Sequence, residues 1–372
     1  MSASWMPVRQ LVAGAAAAGL MAGALIAATG VAQAAVPDQW GFAYVSQPSV
    51  PGVPALAHQA GSWPSPFVVH TTPGVVGQVA VIFPKIGSKG GVVHVTAVTD
   101  ERPIWCQVQK WRPAGVNELV VVRCFEATAG PPVPIFSPFT VTYSKSSKGA
   151  FPPGRGYGYV HYQPGSGVVA RFNSAGGTNT VTSGPVGSWT VVMPGLGSAA
   201  RAGGVQVTAV NPSVPAKCEL ARWLSAPAGQ AFLVRCFNGT TTPLKTAWTL
   251  TYQHGRAITG TQPKHFAYTF DNMPLIIGTY APVPPPVNFS SLGGVNTVSG
   301  AGGGLRLVRF PRVGSLPDNV LVTGFKVGPG FCNLITVWGT FGGNVIVRDV
   351  SCYTAAGKLK SQASLITYAS SH

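Results

Sequence analysis

Acidic residues are scarce in this chain. Nine of its 372 residues are Asp or Glu, and charged residues of both signs total 9%, against roughly 25% in ordinary soluble proteins. The acids are Asp38, Asp100, Glu101, Glu118, Glu126, Glu219, Asp271, Asp318 and Asp349. A glycosidase-type hydrolase needs two carboxylates brought together, and none of these positions recurs in all three of the internal repeats described below. Asp100-Glu101 read as a solvated turn. The seven histidines show no HxH or HExxH spacing for a metal. His94 reads as an outward or partly covered strand position. No Gly-x-Ser-x-Gly elbow occurs, and the glycine runs at Gly165–Ala170 and Gly302–Gly304 lack the Lys-Ser/Thr of a phosphate loop. Helical periodicity is missing after the N-terminal segment. These absences assign no catalytic residue, metal or cofactor.

Cysteine is rare but ordered. All six cysteines fall in three blocks: Cys106-Gln-Val-Gln-Lys-Trp111 with Val-Arg123-Cys124-Phe125, Cys218-Glu-Leu-Ala-Arg-Trp223 with Val-Arg235-Cys236-Phe237, and Cys332 to Trp338 with Ser351-Cys352-Tyr353. The blocks recur after 112 residues (106 to 218) and 114 residues (218 to 332), so the chain is a three-fold repeat. Apolar and polar residues alternate on both sides of a glycine-containing loop, which is the pattern of a β-hairpin. Cysteines at opposite ends of such a hairpin come within bonding distance. The expected pairs are therefore Cys106–Cys124, Cys218–Cys236 and Cys332–Cys352. Zinc is the rival reading, but one pair per repeat without CxxC spacing or paired histidines argues against it.

Residues 1–34 read as a signal peptide. Arg9 precedes an Ala/Gly/Leu-rich segment, and Ala32-Gln33-Ala34 supplies a small-x-small cleavage pattern, so cleavage is expected after Ala34. No later segment is long and apolar enough to span a bilayer as a helix. Export also supplies the oxidising surroundings in which disulfides persist. The formal charge is +16, without a run of five basic residues, so it forms a diffuse positive field. A secreted protein of this kind is not expected to meet nucleic acid. A cell-wall polymer, a polysaccharide or another protein is the expected class of partner.

Each repeat opens on an aromatic strand: Gly41-Phe-Ala-Tyr44, Gly156-Tyr-Gly-Tyr159 and His265-Phe-Ala-Tyr268. A Val-x-Val-Thr strand follows later (Val93, Val205, Val320), then the cysteine hairpin, then a closing strand ending at Tyr143, Tyr252 or Tyr368. About eight short strands per repeat are expected. The chain divides into repeats at 35–150, 151–260 and 261–372. The fold class is all-β: three tandem antiparallel units of about 110 residues, each sandwich-like. The alternative is a six-bladed propeller with two blades per repeat.

This combination of Tyr-Val strand, Val-x-Val-Thr-Ala strand, Cys-x-Val/Leu-x-x-Trp and Val-Arg-Cys-Phe resembles a repeat of secreted actinobacterial proteins. The resemblance covers residues 40–369 and is weaker in the third repeat, where Ser351 and Tyr353 replace the arginine and phenylalanine. It implies secretion and architecture, and transfers no activity.

What recurs is aromatic. Trp111, Trp223 and Trp338 follow their cysteines by five, five and six positions. They read either as core residues against the disulfide or as exposed platforms for sugar rings, repeated for avidity. Strict alternation places Trp223 opposite Cys218 across the strand unless a bulge shifts the register. Arg123 and Arg235 are candidate hydrogen-bond donors to a ligand, with a cross-strand or cation–π contact as the plainer role. The expected function is non-catalytic binding to an anionic or carbohydrate cell-envelope surface. A structural or inhibitor-like protein–protein role and an extracellular hydrolase are the alternatives.

Overall fold

The computed structural model describes residues 38–147, 155–326 and 328–372. The expected signal segment and its cleavage site lie outside them. Among the described residues no helix is long and apolar enough to cross a membrane.

Each repeat folds as a two-sheet sandwich. In the first, one sheet holds Gln59–Gly61, the opening strand Gln39–Val45, the closing strand Phe139–Lys145 and the strand Val92–Ala97, in that order. The other sheet is built on the cysteine hairpin, Ile104–Ala114 with Asn117–Glu126, flanked by Gln78–Phe83 and His70–Pro73. Alternate valines from both sheets interdigitate: Val93, Val95 and Val141 from one, Val79, Val81, Val120 and Val122 from the other. The second and third repeats have equivalent cores. Two sheets facing one another across a core are a sandwich, which replaces the propeller alternative.

The disulfides link Cys106–Cys124, Cys218–Cys236 and Cys332–Cys352, each pair directly opposite across its hairpin. A bulge interrupts the first two hairpins, between Val108 and Lys110 and between Leu220 and Arg222. The extra residue returns Trp111 and Trp223 to the face carrying the cysteine. In the third repeat the strand Gly330–Leu334 stops short and pairing resumes at Gly339–Phe341, with Trp338 in the intervening segment.

The repeats join into a ring. Within each repeat every strand pairing is antiparallel, whereas parallel contacts occur between repeats at Val210 with Val108, Phe325 with Leu220 and Val98 with Leu334. These are equivalent positions, and each contact carries an amide-to-carbonyl bond of 2.9 Å: Asn211 to Val108, Lys326 to Leu220 and Thr99 to Leu334. The strands Val92–Ala97, Gly204–Val210 and Asp318–Phe325 converge at the centre of the ring, and we call them the axial strands. Threonine hydroxyls there accept from the neighbour's backbone: Val95 N–H donates to Thr208, Val207 to Thr323 and Val322 to Thr96, at 3.4, 3.0 and 2.9 Å. The cycle closes after three steps.

Two sequence expectations need correction here. His94 is 2% exposed, because the polar face of its strand turns toward the next sandwich and not toward water. Its Nε2 lies 2.7 Å from Thr251 Oγ1 and its Nδ1 3.2 Å from Thr208 Oγ1. The opening strand of the first repeat is also displaced by two residues. Gly41, Gly158 and Ala267 each face the closing tyrosine, which makes Tyr44 the counterpart of His161 and Phe270, not of Tyr159 and Tyr268.

Two measurements follow from the ring. Thr323→Val keeps the shape but strips the acceptor from Val207 N–H and the donor from Gln206, to which Thr323 Oγ1 donates at 2.7 Å. Urea denaturation is expected to show a loss of about 1–3 kcal/mol for the buried groups left unpaired. Burial also pushes His94 down to about 3. The unfolded chain then takes up a proton below pH ~6.5 that the folded chain refuses, so stability is full above that pH and declines below it, by about 1.4 kcal/mol per pH unit for one histidine. Substituting the residue of the second repeat, His94→Gln, is expected to shallow that acid decline in melts taken from pH 7 to pH 4.

Candidate functional site

Ring closure places one tryptophan at each junction, against an aromatic ring of the following repeat's opening strand. The pairs are Trp111 with His161 (centroids 4.4 Å apart), Trp223 with Phe270 (6.2 Å) and Trp338 with Tyr44 (6.0 Å). These three sites are equivalent in topology and differ in what fills them.

At the second junction Arg201 lies over the rings of Trp223, Phe270 and Phe325 at 5.7, 5.7 and 6.0 Å, and its Nη2 donates to the Trp223 carbonyl at 3.0 Å. Phe325 packs on Phe270 at 4.8 Å. At the third, His58 packs 5.2 Å from Trp338 and 5.9 Å from Tyr44. Its Nδ1 meets Asp318 Oδ1 at 2.8 Å, and Trp338 Nε1 donates to that same oxygen at 2.8 Å. Trp223 and Trp338 are accordingly 0% and 2% exposed. Both are core residues with no face for a ligand, so a triplicated platform is not what the ring presents.

The first junction is open. Val210 stands there at the position of Phe325, and a cleft of about 500 Å³ remains. The first repeat contributes Gln109, Lys110 and Trp111, and the second contributes His161, Gln163, Asn211, Lys245 and Thr246 among others. Trp111 is half-buried and donates from Nε1 to the Gly90 carbonyl at 3.0 Å. Burial pushes the His161 imidazole down to about 4, leaving a neutral ring beside the indole at pH 7.

The cleft walls are braced. Gln109 Nε2 donates to the Pro212 carbonyl at 2.9 Å while its Oε1 accepts from Gln78. Asn211 Oδ1 accepts from the amides of Ser213 and Val214, and its Nδ2 donates to Thr246 Oγ1 at 3.1 Å. Thr246 in turn donates to the Val210 carbonyl at 2.9 Å. Such internally satisfied walls hold a site in shape before anything enters it.

A second cavity, of about 40 Å³, lies on the ring centre between the axial strands. It is the size of a few waters at most. The residues preceding the first cysteines, Trp105, Lys217 and Phe331, meet beside it. The Lys217 ammonium sits 4.6 and 5.2 Å from the two aromatic rings and donates to the Gly239 carbonyl at 3.0 Å. Desolvation lowers Lys217 and raises Glu219, each to about 8. Gln362 Nε2 donates to Glu219 at 3.1 Å, in room left because Gly324 has no Cβ.

The other buried carboxylates are dispersed. Glu118 accepts from the Ser88 amide, Asp271 faces Arg306 at 3.3 Å, and Asp318 holds His58 and Trp338. Arg123 and Arg235 lie 5.4 and 5.5 Å from the rings of Phe125 and Phe237, on hairpin strands opposite Gln107 and Glu219. They do not line the cleft. Of the sequence candidates only Trp111 does. Its companions His161, Gln163, Lys110 and Lys245 carry no motif, and His161 stands out as a non-equivalent residue once the opening strands are registered correctly.

Comparison with models of known protein families, with curated proteins and with solved structures finds no match in any of the three.

The tryptophans can be told apart by stability. Trp223→Ala removes a fully buried ring and is expected to cost about 3–5 kcal/mol. Trp111→Ala, at a half-buried position, is expected to cost clearly less. Thermal melts of the two variants beside the parent chain check the order, and an unchanged midpoint for Trp223→Ala would contradict its place in the core.

Proposed function

We propose that this protein is a non-catalytic, exported binding protein that grips a cell-envelope polymer through the cleft at the first junction. The observation that carries the reading is internal. Of three topologically equivalent junctions, two are filled by Arg201 or His58 and one is left open around a tryptophan. Filling that junction would bury more apolar surface and raise stability, so leaving it open is the kind of local cost that accompanies a binding site. An indole lining a braced, concave site suits a flat, partly apolar group such as a sugar ring.

Surface charge supports the same reading. Four of the nine acids, Glu118, Glu219, Asp271 and Asp318, are at most 2% exposed, so the accessible surface is poorer in negative charge than the composition implies. Long-range attraction to an anionic envelope would then concentrate the protein at the surface, with the cleft supplying the defined contact. Three disulfides, the expected signal segment and the resemblance to secreted actinobacterial repeat proteins accord with export.

Cosedimentation with isolated cell walls at ~0.15 M salt, where screening acts beyond about 8 Å, tests the assignment. Trp111→Ala and Gln163→Ala are each expected to weaken retention several-fold. Trp223→Phe, a conservative change at a filled junction, is expected to bind as the parent chain does. Retention unaffected by both cleft variants would remove the cleft from the function.

A further inference from the structure

We infer that the polymer taken by this cleft is an anionic one, a sugar or polyol chain bearing phosphate or carboxylate groups, and not a neutral glycan. The inference rests on the reading of the cleft as the binding site and adds the class of ligand. A neutral sugar presents hydroxyls, each of which both donates and accepts, and a site for it needs free acceptors as well as donors. Here the side-chain acceptors of Gln109, Asn211 and Thr246 are already engaged. Gln109 Oε1 takes the Gln78 amide, Asn211 Oδ1 takes two backbone amides, and Thr246 Oγ1 takes the Asn211 side chain.

What remains unengaged is chiefly cationic, beside the Gln163 amide and the neutral His161 ring. Lys110 and Lys245 are exposed on the cleft lining, with no hydrogen bond or ion pair to another described residue, and no Asp or Glu is among the lining residues. Gln163 is the one free amide. Two ammonium groups can together supply six N–H donors and no acceptor, and charge-assisted bonds to oxyanions are the strong ones. Lys245 is also peculiar to this junction. The closing-strand register puts Phe136 and Ser361 at its position in the other repeats. The open junction therefore carries, beside its cavity, a cation at a position where its two counterparts have none.

The test titrates the full chain at physiological salt with three probes: poly(glycerol phosphate), polygalacturonate and dextran. Either charged polymer is expected to bind while dextran does not, and the better of the two identifies phosphate or carboxylate as the preferred oxyanion. The double variant Lys110→Glu/Lys245→Glu is expected to lose about tenfold or more in affinity, the scale of two charge-assisted contacts at a wet site. Arg309→Glu/Arg348→Glu, exposed residues of the third sandwich, makes the same change in net charge and is expected to lose much less.

Equal losses in the two double variants would show that the diffuse field carries binding and would overturn the inference. Dextran binding that survives the lysine changes but falls with Trp111→Ala would overturn the anionic class while keeping the cleft. Polymer binding indifferent to Trp111→Ala and to the lysine pair would overturn the cleft itself. Single-stranded DNA bound more tightly than either polymer through these lysines would overturn the saccharide assignment. Should the glutamates impair folding, seen as a lowered melting midpoint, Lys110→Gln/Lys245→Gln gives the same comparison.

Discussion

A sheet that ends inside a protein must dispose of its edge. The outer N–H and C=O groups of an edge strand are either paired, hydrated or a liability. In this ring each axial strand is the last of its own repeat's strands, meets the neighbouring hairpin at a single parallel bridge, and is buried at the centre, where water cannot serve all of its groups. Threonine resolves the problem. Each axial strand offers a hydroxyl to an amide of the next, in the sequence Val95–Thr208, Val207–Thr323, Val322–Thr96. The same hydroxyls each give their one proton onward, Thr96 to the Val322 carbonyl at 3.2 Å and Thr323 to Gln206 at 2.7 Å. The second repeat departs from this, since Thr208 meets the His94 ring instead. A relay of this kind closes only if all three sandwiches stand in register. That requirement fixes where the hairpins of one repeat meet the opening strand of the next.

Burying a polar face has a further consequence. Around the axial strands lie Thr249, which donates to the Val93 carbonyl at 2.8 Å, Gln206, which donates to the Leu365 carbonyl at 3.1 Å, and Gln253, which donates to Thr367 at 2.6 Å. These bonds are directional, so they penalise rotation or slippage of one sandwich against another more sharply than apolar contact would. The junctions inherit that rigidity. A cleft between two loosely docked domains would breathe, whereas the repeats that form this one are tied by the parallel contact at Val108 and Val210 and by the relay. Its walls can therefore be held by short bonds among Gln109, Asn211 and Thr246 without a dedicated loop.

What could be read from the sequence was local to one repeat. Period-two alternation and paired cysteines announce hairpins because both ends of each contact lie within about 20 residues. The bulge that returns Trp223 to the core was legible only as a condition, since nothing in Leu220-Ala221-Arg222 marks it. Contacts between repeats were opaque for a physical reason. Alternating valine and threonine is the pattern of a strand with one wet face, and the residues that dry this one, such as Thr251 for His94, are more than 100 positions away. The opening strands misalign by two for a related cause: Phe42-Ala-Tyr44 and Tyr157-Gly-Tyr159 look alike, and only their pairing to Tyr143 and Tyr252 separates them. Trp111 was visible as a candidate because it repeats. Lys245 and His161 were not, because they matter through failing to repeat.

That last point explains why a ring of three similar sandwiches should be one chain. In a trimer of identical subunits every junction is the same, so opening one cleft opens all three and exposes three tryptophans in place of one. Covalent linkage frees equivalent positions to diverge. Here the divergence is concentrated where repeats meet: Tyr44, His161 and Phe270 at the junction rings, Trp105, Lys217 and Phe331 beside the central cavity, Gln107, Glu219 and Asn333 one step further along. The threonines of the relay, by contrast, are identical in all three repeats. Positions that close the ring must agree with one another, and positions that merely line its junctions are free to specialise. Two junctions have taken the stabilising option, filling themselves with Arg201 and His58, and the stability they provide is what allows the third to stay open.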